Sequence, residues 1–168
     1  MKRHLFSAVF VILSIGSFGQ DSLTAFIPPV DFPLLLSGNF AEMRRNHFHT
    51  GIDIKTGGSE GHNVRAVEGG QVVRINISPW GYGKAVYVSH PNGYTTVYGH
   101  LSSLSAKIDD ALRARQYAEQ SYAVDFVPNP PVPVEKGEVI ALSGNSGSSG
   151  GPHLHFEIRR TADEKPPN

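Results

Sequence analysis

The motif His49-Thr-Gly-Ile-Asp53 combines two side chains that can bind a metal ion. Its apolar neighbours Ile52 and Ile54 alternate with Gly51 and Asp53, and residues two apart lie on the same face of a strand. A strand here therefore places His49, Gly51 and Asp53 on one face, with the two isoleucines in the core. Gly51 leaves room between the imidazole and the carboxylate.

The segment His153-Leu-His-Phe-Glu-Ile158 shows the same alternation. Its apolar residues are predicted to face the core, while His153, His155 and Glu157 share the opposite face. His100 follows a predicted strand, where its side chain can point along the sheet into the same groove. The sequence thus predicts two polar, histidine-bearing strand faces beside an apolar core.

Two histidines and one carboxylate with an open fourth position are typical of a hydrolytic zinc site, because zinc lowers the pKa of a bound water from about 15.7 to about 7. Any remaining imidazoles can supply proton transfer and charge stabilisation. The chain has no Cys, which excludes disulfides, cysteine nucleophiles and thiolate zinc sites. A metal in this protein must therefore be held by His and carboxylate.

The composition indicates one globular domain rich in turns. A chain of 168 residues is long enough for one domain with a core and short for two. Its 18 Gly and 12 Pro indicate many turns. Fifteen basic and fifteen acidic residues balance to zero formal charge, so the chain lacks the basic excess with which proteins bind nucleic acid. We therefore expect no nucleic-acid partner.

Residues 1–19 are predicted to be a signal peptide. Lys2 and Arg3 precede an apolar stretch over 5–15, and Ser17-Phe-Gly19 offers small residues to a signal peptidase. No segment approaches the length of about 20 apolar residues that spans a bilayer, so we expect no membrane span in the mature form. The expected location is the periplasm or cell envelope; a retained N-terminal anchor is the alternative. Residues 20–36 are an N-terminal segment that leads into the domain.

Short β-rich runs separated by Gly, Asn and Pro predict a mainly β fold, a single domain with an antiparallel sheet core and one helical insertion. Asn92-Gly93, between the second and third runs, is a strong hairpin signal. Five strands are expected, over residues 71–77, 85–89, 94–98, 139–142 and 154–158.

The insertion spans residues 105–134. Ile108, Ala111 and Leu112 lie near one face of a predicted helix over 106–122, and the prolines at 128–133 cannot continue it. The insertion contains no His. We therefore expect it to form a helix and a Pro-rich strap on the rim of the groove, where it restricts substrates rather than forming the metal site.

Other polar residues have plainer interpretations. His62 and His90 lie in predicted turns and are interpreted as solvated, and His47 is interpreted as an exposed residue beside the first motif. Arg44 and Arg45 either bind a substrate carboxylate or are solvated charges. For Glu157 a structural role, or support of a metal ligand, is favoured over ligation.

Four segments resemble the lysostaphin-type zinc endopeptidases, which cut peptide stems and bridges of peptidoglycan. The match runs in order from about Ser37 to Arg159, which gives a domain over residues 37–168. It implies a mostly antiparallel β core with a substrate groove walled by loops. The segments are His49–Asp53, Tyr98-Gly-His100-Leu, Val134–Ile140 and Gly144–Ile158, of which Gly-Pro-His-Leu-His-Phe-Glu is the most specific.

Carried over residue by residue, the resemblance implies that His49, Asp53 and His155 bind one zinc ion per chain. His100 and His153 are then the catalytic pair, which polarises the attacking water and stabilises the oxyanion. The implied function is a zinc-dependent endopeptidase that hydrolyses peptide stems or cross-links of bacterial peptidoglycan.

Two alternatives remain open. The first is a catalytically silent relative that binds the wall or activates an amidase, and the second is a binding module whose activity needs residues beyond Asn168. All five site positions are intact, which favours the enzyme. The chain departs from the family pattern in two ways. Residues 105–134 intervene where relatives commonly have a short connection, and relatives usually continue past the last motif, so a fragment of a longer protein is one interpretation.

Overall fold

The computed structural model describes residues 26–44 and 47–167, so the predicted signal peptide lies outside the described residues. This part of the chain folds into eleven strands and one helix. They are β1 Leu36–Gly38, β2 Ile52–Lys55, β3 Asn63–Arg65, β4 Gly70–Ile77, β5 Lys84–Ser89, β6 Tyr94–Gly99, β7 Ser103–Leu104, α1 Ala106–Glu119, β8 Val124–Phe126, β9 Val132–Val134, β10 Val139–Leu142 and β11 His153–Arg160.

The main sheet is antiparallel, with strand order β1-β2-β11-β6-β5-β4, and both β8 and β9 pair with the outer side of β4. All five predicted strands are present in it or in the small sheet β3-β10-β7. The β-branched and aromatic residues of β5 and β6 account for their place in the middle of the sheet, where side chains on both faces are covered. The predicted fold class is confirmed.

The apolar core lies where the main sheet meets the small sheet and the helix. Ile54, Tyr98 and Leu154 come from the main sheet, and Ile140 and Ile108 reach the same cluster from β10 and α1. All five side chains are fully buried. Burial of one face fixes the register of each strand, because a slip of one residue would move every side chain to the other face.

Strand β11 pairs with β2 on one side and with β6 on the other. His155 lies opposite Asp53 of β2 and opposite Gly99 of β6, and Leu154 lies opposite Ile54. Since the leucine and isoleucine point into the core, the histidine and aspartate share the other face of the sheet. The register therefore places the two predicted motifs side by side.

The helical insertion is present but lies elsewhere than predicted. Helix α1 ends at Glu119 rather than 122, and Gln120 adopts the left-handed conformation that commonly ends a helix. Ile108 and Leu112 are buried in the main core. Because β8 and β9 extend the β4 edge, at the opposite end of the sheet from β2, the insertion is part of the fold rather than a strap on the groove.

The lead-in segment packs onto the domain from residue 26 onward. The backbone N–H of Ile27 donates to the carbonyl of Val67 at 2.9 Å, and Val30 is 3% exposed within the core. Within the described ranges, no helix is long and apolar enough to cross a membrane.

Candidate metal centre

The first motif begins ahead of strand β2 rather than inside it. Residues 41–44 and 47–49 pair with each other: the N–H of His49 donates to the carbonyl of Glu42 at 2.8 Å, and Met43 forms an isolated β-bridge with Phe48. The predicted strand is therefore wrong in its start, although this pairing still brings His49 beside Asp53. Gly51 makes room for β11 rather than for its neighbours, because a Cβ there would lie 2.3 Å from the carbonyl oxygen of Phe156.

Three predicted site residues converge at this point. The Nε2 of His49 lies 3.1 Å from Oδ1 of Asp53, the Nδ1 of His155 lies 3.0 Å from the same oxygen, and the two nitrogens are 3.0 Å apart. All three residues are buried. Among the described residues these are the group of His and acidic side chains placed to hold a metal ion.

The other nitrogen of each ring is already held by an oxygen. The Nδ1–H of His49 donates to the carbonyl of Asn39 at 2.8 Å, and the Nε2–H of His155 donates to the carboxylate of Glu157 at 2.7 Å. This leaves one lone pair on each ring directed at Asp53. Two imidazole nitrogens and a carboxylate oxygen are ligands that zinc commonly takes, and the outer hydrogen bonds fix ring orientation, so the donor set fits that metal.

The electrostatics of the cluster favour positive charge. Burial by itself raises the pKa of Asp53, but its close contacts with the imidazoles of His153, His155 and His49 hold that pKa well below its usual range. Arg44 also donates to Oδ2 of Asp53 at 2.8 Å. Burial lowers the pKa of His155, yet its bonds to Asp53 and Glu157 raise it overall. A cation is therefore stabilised between these groups.

The two remaining site histidines lie together beside the cluster. The ring centroids of His100 and His153 are 4.6 Å apart, and Nε2 of His153 lies 3.4 Å from Oδ1 of Asp53. Each ring donates its Nδ1–H to a carbonyl at 2.8 Å, His100 to Ser146 and His153 to Gly151. Burial lowers the pKa of His100 to about 4. Its Nε2 is thus an unprotonated acceptor near neutral pH.

Glu157 connects the cluster to the wall of the groove. Its carboxylate is 1% exposed and accepts hydrogen bonds from His155, Thr50, Tyr82 and Arg159, at 2.5 to 2.7 Å. Burial alone would raise the pKa of Glu157, but these four donors lower it to about 2. The glutamate is therefore ionised and supports His155 rather than facing Asp53, as its predicted supporting role requires.

A groove of about 790 Å³ lies over the five site residues. One wall is made by two loops, residues 81–84 and 146–148, which are joined by hydrogen bonds. The N–H of Ser148 donates to the carbonyl of Gly81 at 2.9 Å, and the N–H of Lys84 donates to Oγ of Ser146 at 2.9 Å. A Cβ on Gly83 would lie 2.4 Å from Ser146. The segment around Ser146 therefore fixes both this wall and the ring of His100.

The structure corrects the interpretation of His90 and of the insertion, and it adds Tyr82 to the residues that line the groove. His90 is not solvated: it is 4% exposed and bonds to Gly69 and Thr96. Arg44 and His47 line the groove, and no residue of 105–134 does among those described, so the rim position predicted for the insertion is wrong. Sequence reasoning missed Tyr82, whose only signal is its place between Gly81 and Gly83 before a strand.

The chain belongs to peptidase family M23, whose model matches residues 47–118 and 115–167. It is 38% identical over 111 residues to the DD-carboxypeptidase/endopeptidase Mpg of Neisseria meningitidis, covering 66% of this chain and 20% of that protein. It is 34% identical over 106 residues to the murein hydrolase activator EnvC of Escherichia coli, covering 62% of this chain and 19% of that protein.

The fold also resembles a solved structure, a zinc-containing peptidase from Vibrio cholerae. The TM-score is 0.61 with 25% identity, over 85% of this chain and 38% of that one. The chain spans about a fifth of the length of the curated relatives described above. The lysostaphin-type resemblance of the motifs is thereby confirmed.

Proposed function

We propose that the protein is a zinc-dependent endopeptidase that hydrolyses peptide stems or cross-links of bacterial peptidoglycan. The observation that carries this proposal is the convergence of lone pairs from His49 and His155 on Asp53, in a groove that also holds His100 and His153. Similarity to Mpg, named as a DD-carboxypeptidase/endopeptidase, supports the peptide substrate.

One zinc ion per chain would be held by His49, Asp53 and His155. When bound there, zinc supplies Lewis acidity and lowers the pKa of a coordinated water towards neutrality. Because all three ligands must be deprotonated, the affinity for zinc falls as protons compete at low pH.

The chain's own side chains then handle protons and charge. Both His100 and His153 donate from Nδ1 to a backbone carbonyl. The lowered pKa of His100 leaves its Nε2 as a proton acceptor over the groove, while Nε2 of His153 lies 3.4 Å from Oδ1 of Asp53. One imidazole takes a proton from the attacking water, and the imidazolium so formed stabilises the tetrahedral oxyanion and returns the proton to the leaving amine. The hydrogen-bonded wall of the groove holds an extended peptide against this pair of histidines, which keeps the scissile peptide bond oriented during the reaction.

The direct test uses purified sacculi and defined cross-linked muropeptides. The zinc-loaded chain is expected to release new amino termini, and chelation followed by zinc addition should abolish and restore this release. His100→Ala and His153→Ala should keep zinc and lose about 10² to 10⁴-fold in turnover. A zinc-loaded chain that cuts no peptide bond in either substrate contradicts the proposal.

The second candidate is a relative without turnover that binds the wall or activates an amidase. Similarity to EnvC, named as a murein hydrolase activator, favours it. It predicts that the chain stimulates a partner amidase on sacculi while releasing no new amino termini by itself, and that removal of zinc leaves the stimulation unchanged.

We also propose export to the periplasm or cell envelope, with cleavage after residue 19 and a catalytic domain over residues 37–168. The basic start and apolar stretch of residues 1–19 support export. Mass spectrometry of protein recovered from cells should find a mature terminus at Gln20. An intact Met1 terminus would contradict the predicted signal peptide.

A further inference from the structure

A second cleft of about 540 Å³ lies between α1 and the turn end of strands β4 and β5. Ile77 and Lys84 line it from these strands, while Tyr117 lines it from α1 and Tyr122 from the segment that follows. Among the described residues it shares no lining residue with the groove over the metal centre. Most of its surface comes from residues 105–134, the segment that departs from the family pattern.

Two aromatic side chains in this cleft are open to solvent. Tyr117 is 80% exposed and Tyr122 is 67% exposed. The backbone that carries the second is held in place, because the side-chain amide of Gln116 donates to the carbonyl of Tyr122 at 2.6 Å and the N–H of Ser121 donates to the carbonyl of Gln116 at 3.1 Å. Exposed apolar surface of this kind in a preformed cleft is typical of a binding site.

Four further lining residues carry planar polar groups. Gln116, Gln120, Asp109 and Arg113 present amide, carboxylate and guanidinium groups, and the last two form an ion pair at 2.5 Å. Such groups offer hydrogen-bonding atoms in pairs, which suits the neighbouring hydroxyl and acetamido groups of a sugar. The flat faces of a pyranose ring carry C–H groups that pack on aromatic rings. The charges in the cleft are already paired within the protein, since Arg113 bonds to Asp109 and the Lys84 ammonium donates to the carbonyl of Ser102 at 2.6 Å, which suits a largely neutral ligand.

We propose that this cleft binds the glycan strand of peptidoglycan, an inference that rests on the proposed function and extends it. Lys84, the first residue of β5, lines the cleft, and Gly81 and Tyr82, in the turn just before it, line the groove. Stem peptides branch from a saccharide, so a peptide in the groove carries its sugar at one end. A cleft lined by residues next to those that line the groove is placed to receive that sugar.

The binding test uses chitotetraose, a peptide-free tetramer of N-acetylglucosamine, titrated into the full chain with chelator present. We expect saturable binding that weakens about ten-fold or more in Tyr117→Ala/Tyr122→Ala, since two stacking faces are lost. Tyr117→Phe/Tyr122→Phe keeps the rings and should retain most of the affinity. Glu119→Gln, on the same helix but outside the cleft, is the matched control. Absence of binding, or equal binding by the double alanine variant, overturns the proposal.

A second measurement separates this inference from the proposed function. The parent and the double alanine variant are each given a glycan-linked cross-linked muropeptide and the same cross-linked peptide without sugar. We expect the variant to show a raised KM for the glycan-linked substrate and unchanged kinetics on the free peptide. Equal kinetics on both substrates would overturn the glycan site and leave the proposed function standing. If the parent cuts neither substrate, the proposed function fails, and the chitotetraose titration alone decides whether the cleft binds sugar.

Discussion

The Nε2 of His49 and the Nδ1 of His155 lie 3.0 Å apart, and the opposite nitrogen of each ring donates a hydrogen bond to an oxygen. Two such lone pairs repel each other unless a proton or a metal ion lies between or beside them. Both rings are buried, so water screens this repulsion poorly. The pair is therefore arranged for a cation, and the predictions below concern what holds that arrangement in place.

Glu157 is expected to control metal affinity without touching the metal. Its carboxylate accepts the Nε2–H of His155, which orients the ring and makes it a better ligand. Glu157→Gln keeps the shape and removes the charge, so the affinity for zinc should fall about 10- to 100-fold. Competition with a chelating dye measures this.

Glu138→Gln is the matched control for that change. The Glu138 carboxylate bonds to Lys107, and neither residue lines the groove. Zinc affinity should be unchanged in this variant. If Glu157→Gln bound zinc as tightly as the parent and Glu138→Gln, the supporting role of Glu157 would be disproved.

Gly83 is expected to be required for turnover but not for metal binding. It has φ +67°, and a Cβ there would collide with Ser146, whose carbonyl orients His100. In Gly83→Ala the segment at Ser146 must shift, so turnover should fall by at least about ten-fold while zinc stays bound. Steady-state kinetics with parallel metal analysis provides the measurement.

Gly93→Ala is the control that introduces backbone strain without a steric collision. Gly93 also has positive φ, at +84°, but a Cβ there meets nothing within 4 Å. Its substitution should cost about 1 to 2 kcal/mol of stability and leave turnover unchanged. Parent-like turnover in Gly83→Ala would show that the contact between Gly83 and Ser146 does not position His100.

His90 is expected to make the domain less stable in mild acid. The ring is enclosed: Nδ1–H donates to the carbonyl of Gly69 at 3.0 Å, and Nε2 lies 2.8 Å from Oγ1 of Thr96. Burial lowers the pKa of His90 below its usual value of 6.5. Above that value neither state is protonated. As the pH falls through it, the unfolded chain binds the proton first, so the free energy of unfolding decreases.

His90→Gln should remove this contribution, since an amide can make both hydrogen bonds without titrating. Urea unfolding with chelator present, compared at about pH 7.5 and about pH 5.5, should show a smaller loss of stability in the variant than in the parent. An identical loss in both proteins would mean that His90 is protonated to the same extent when folded and unfolded.

The parts of the site that follow strand alternation could be predicted from sequence. In β11 the apolar residues Leu154 and Phe156 are buried in the core, which forces His153 and His155 to the other face whatever the rest of the chain does. The fold class followed from the same period and from the turn residues between strands.

Tertiary contacts decided the features that the sequence did not reveal. His90 follows β5 in a turn, and only the neighbouring Thr96 and Gly69 show that its ring is enclosed. The absence of His in the insertion indicates only that it does not bind the metal, whereas the burial of Ile108 and Leu112 shows that α1 packs in the core. Pairing of β8 and β9 with β4 joins residues about 50 to 60 apart in the chain. No local pattern specifies that contact.

The most direct test of the metal centre is the zinc content of four purified proteins: the parent, His155→Ala, His153→Ala and His100→Ala. We expect one zinc per chain in the parent, His153→Ala and His100→Ala, and an empty or weakly filled site in His155→Ala, with turnover lost in all three variants. If His153→Ala lost zinc and His155→Ala kept it, the roles within His153-Leu-His155 would be reversed. A parent that bound no zinc, or that kept it in His155→Ala, would contradict the proposed centre.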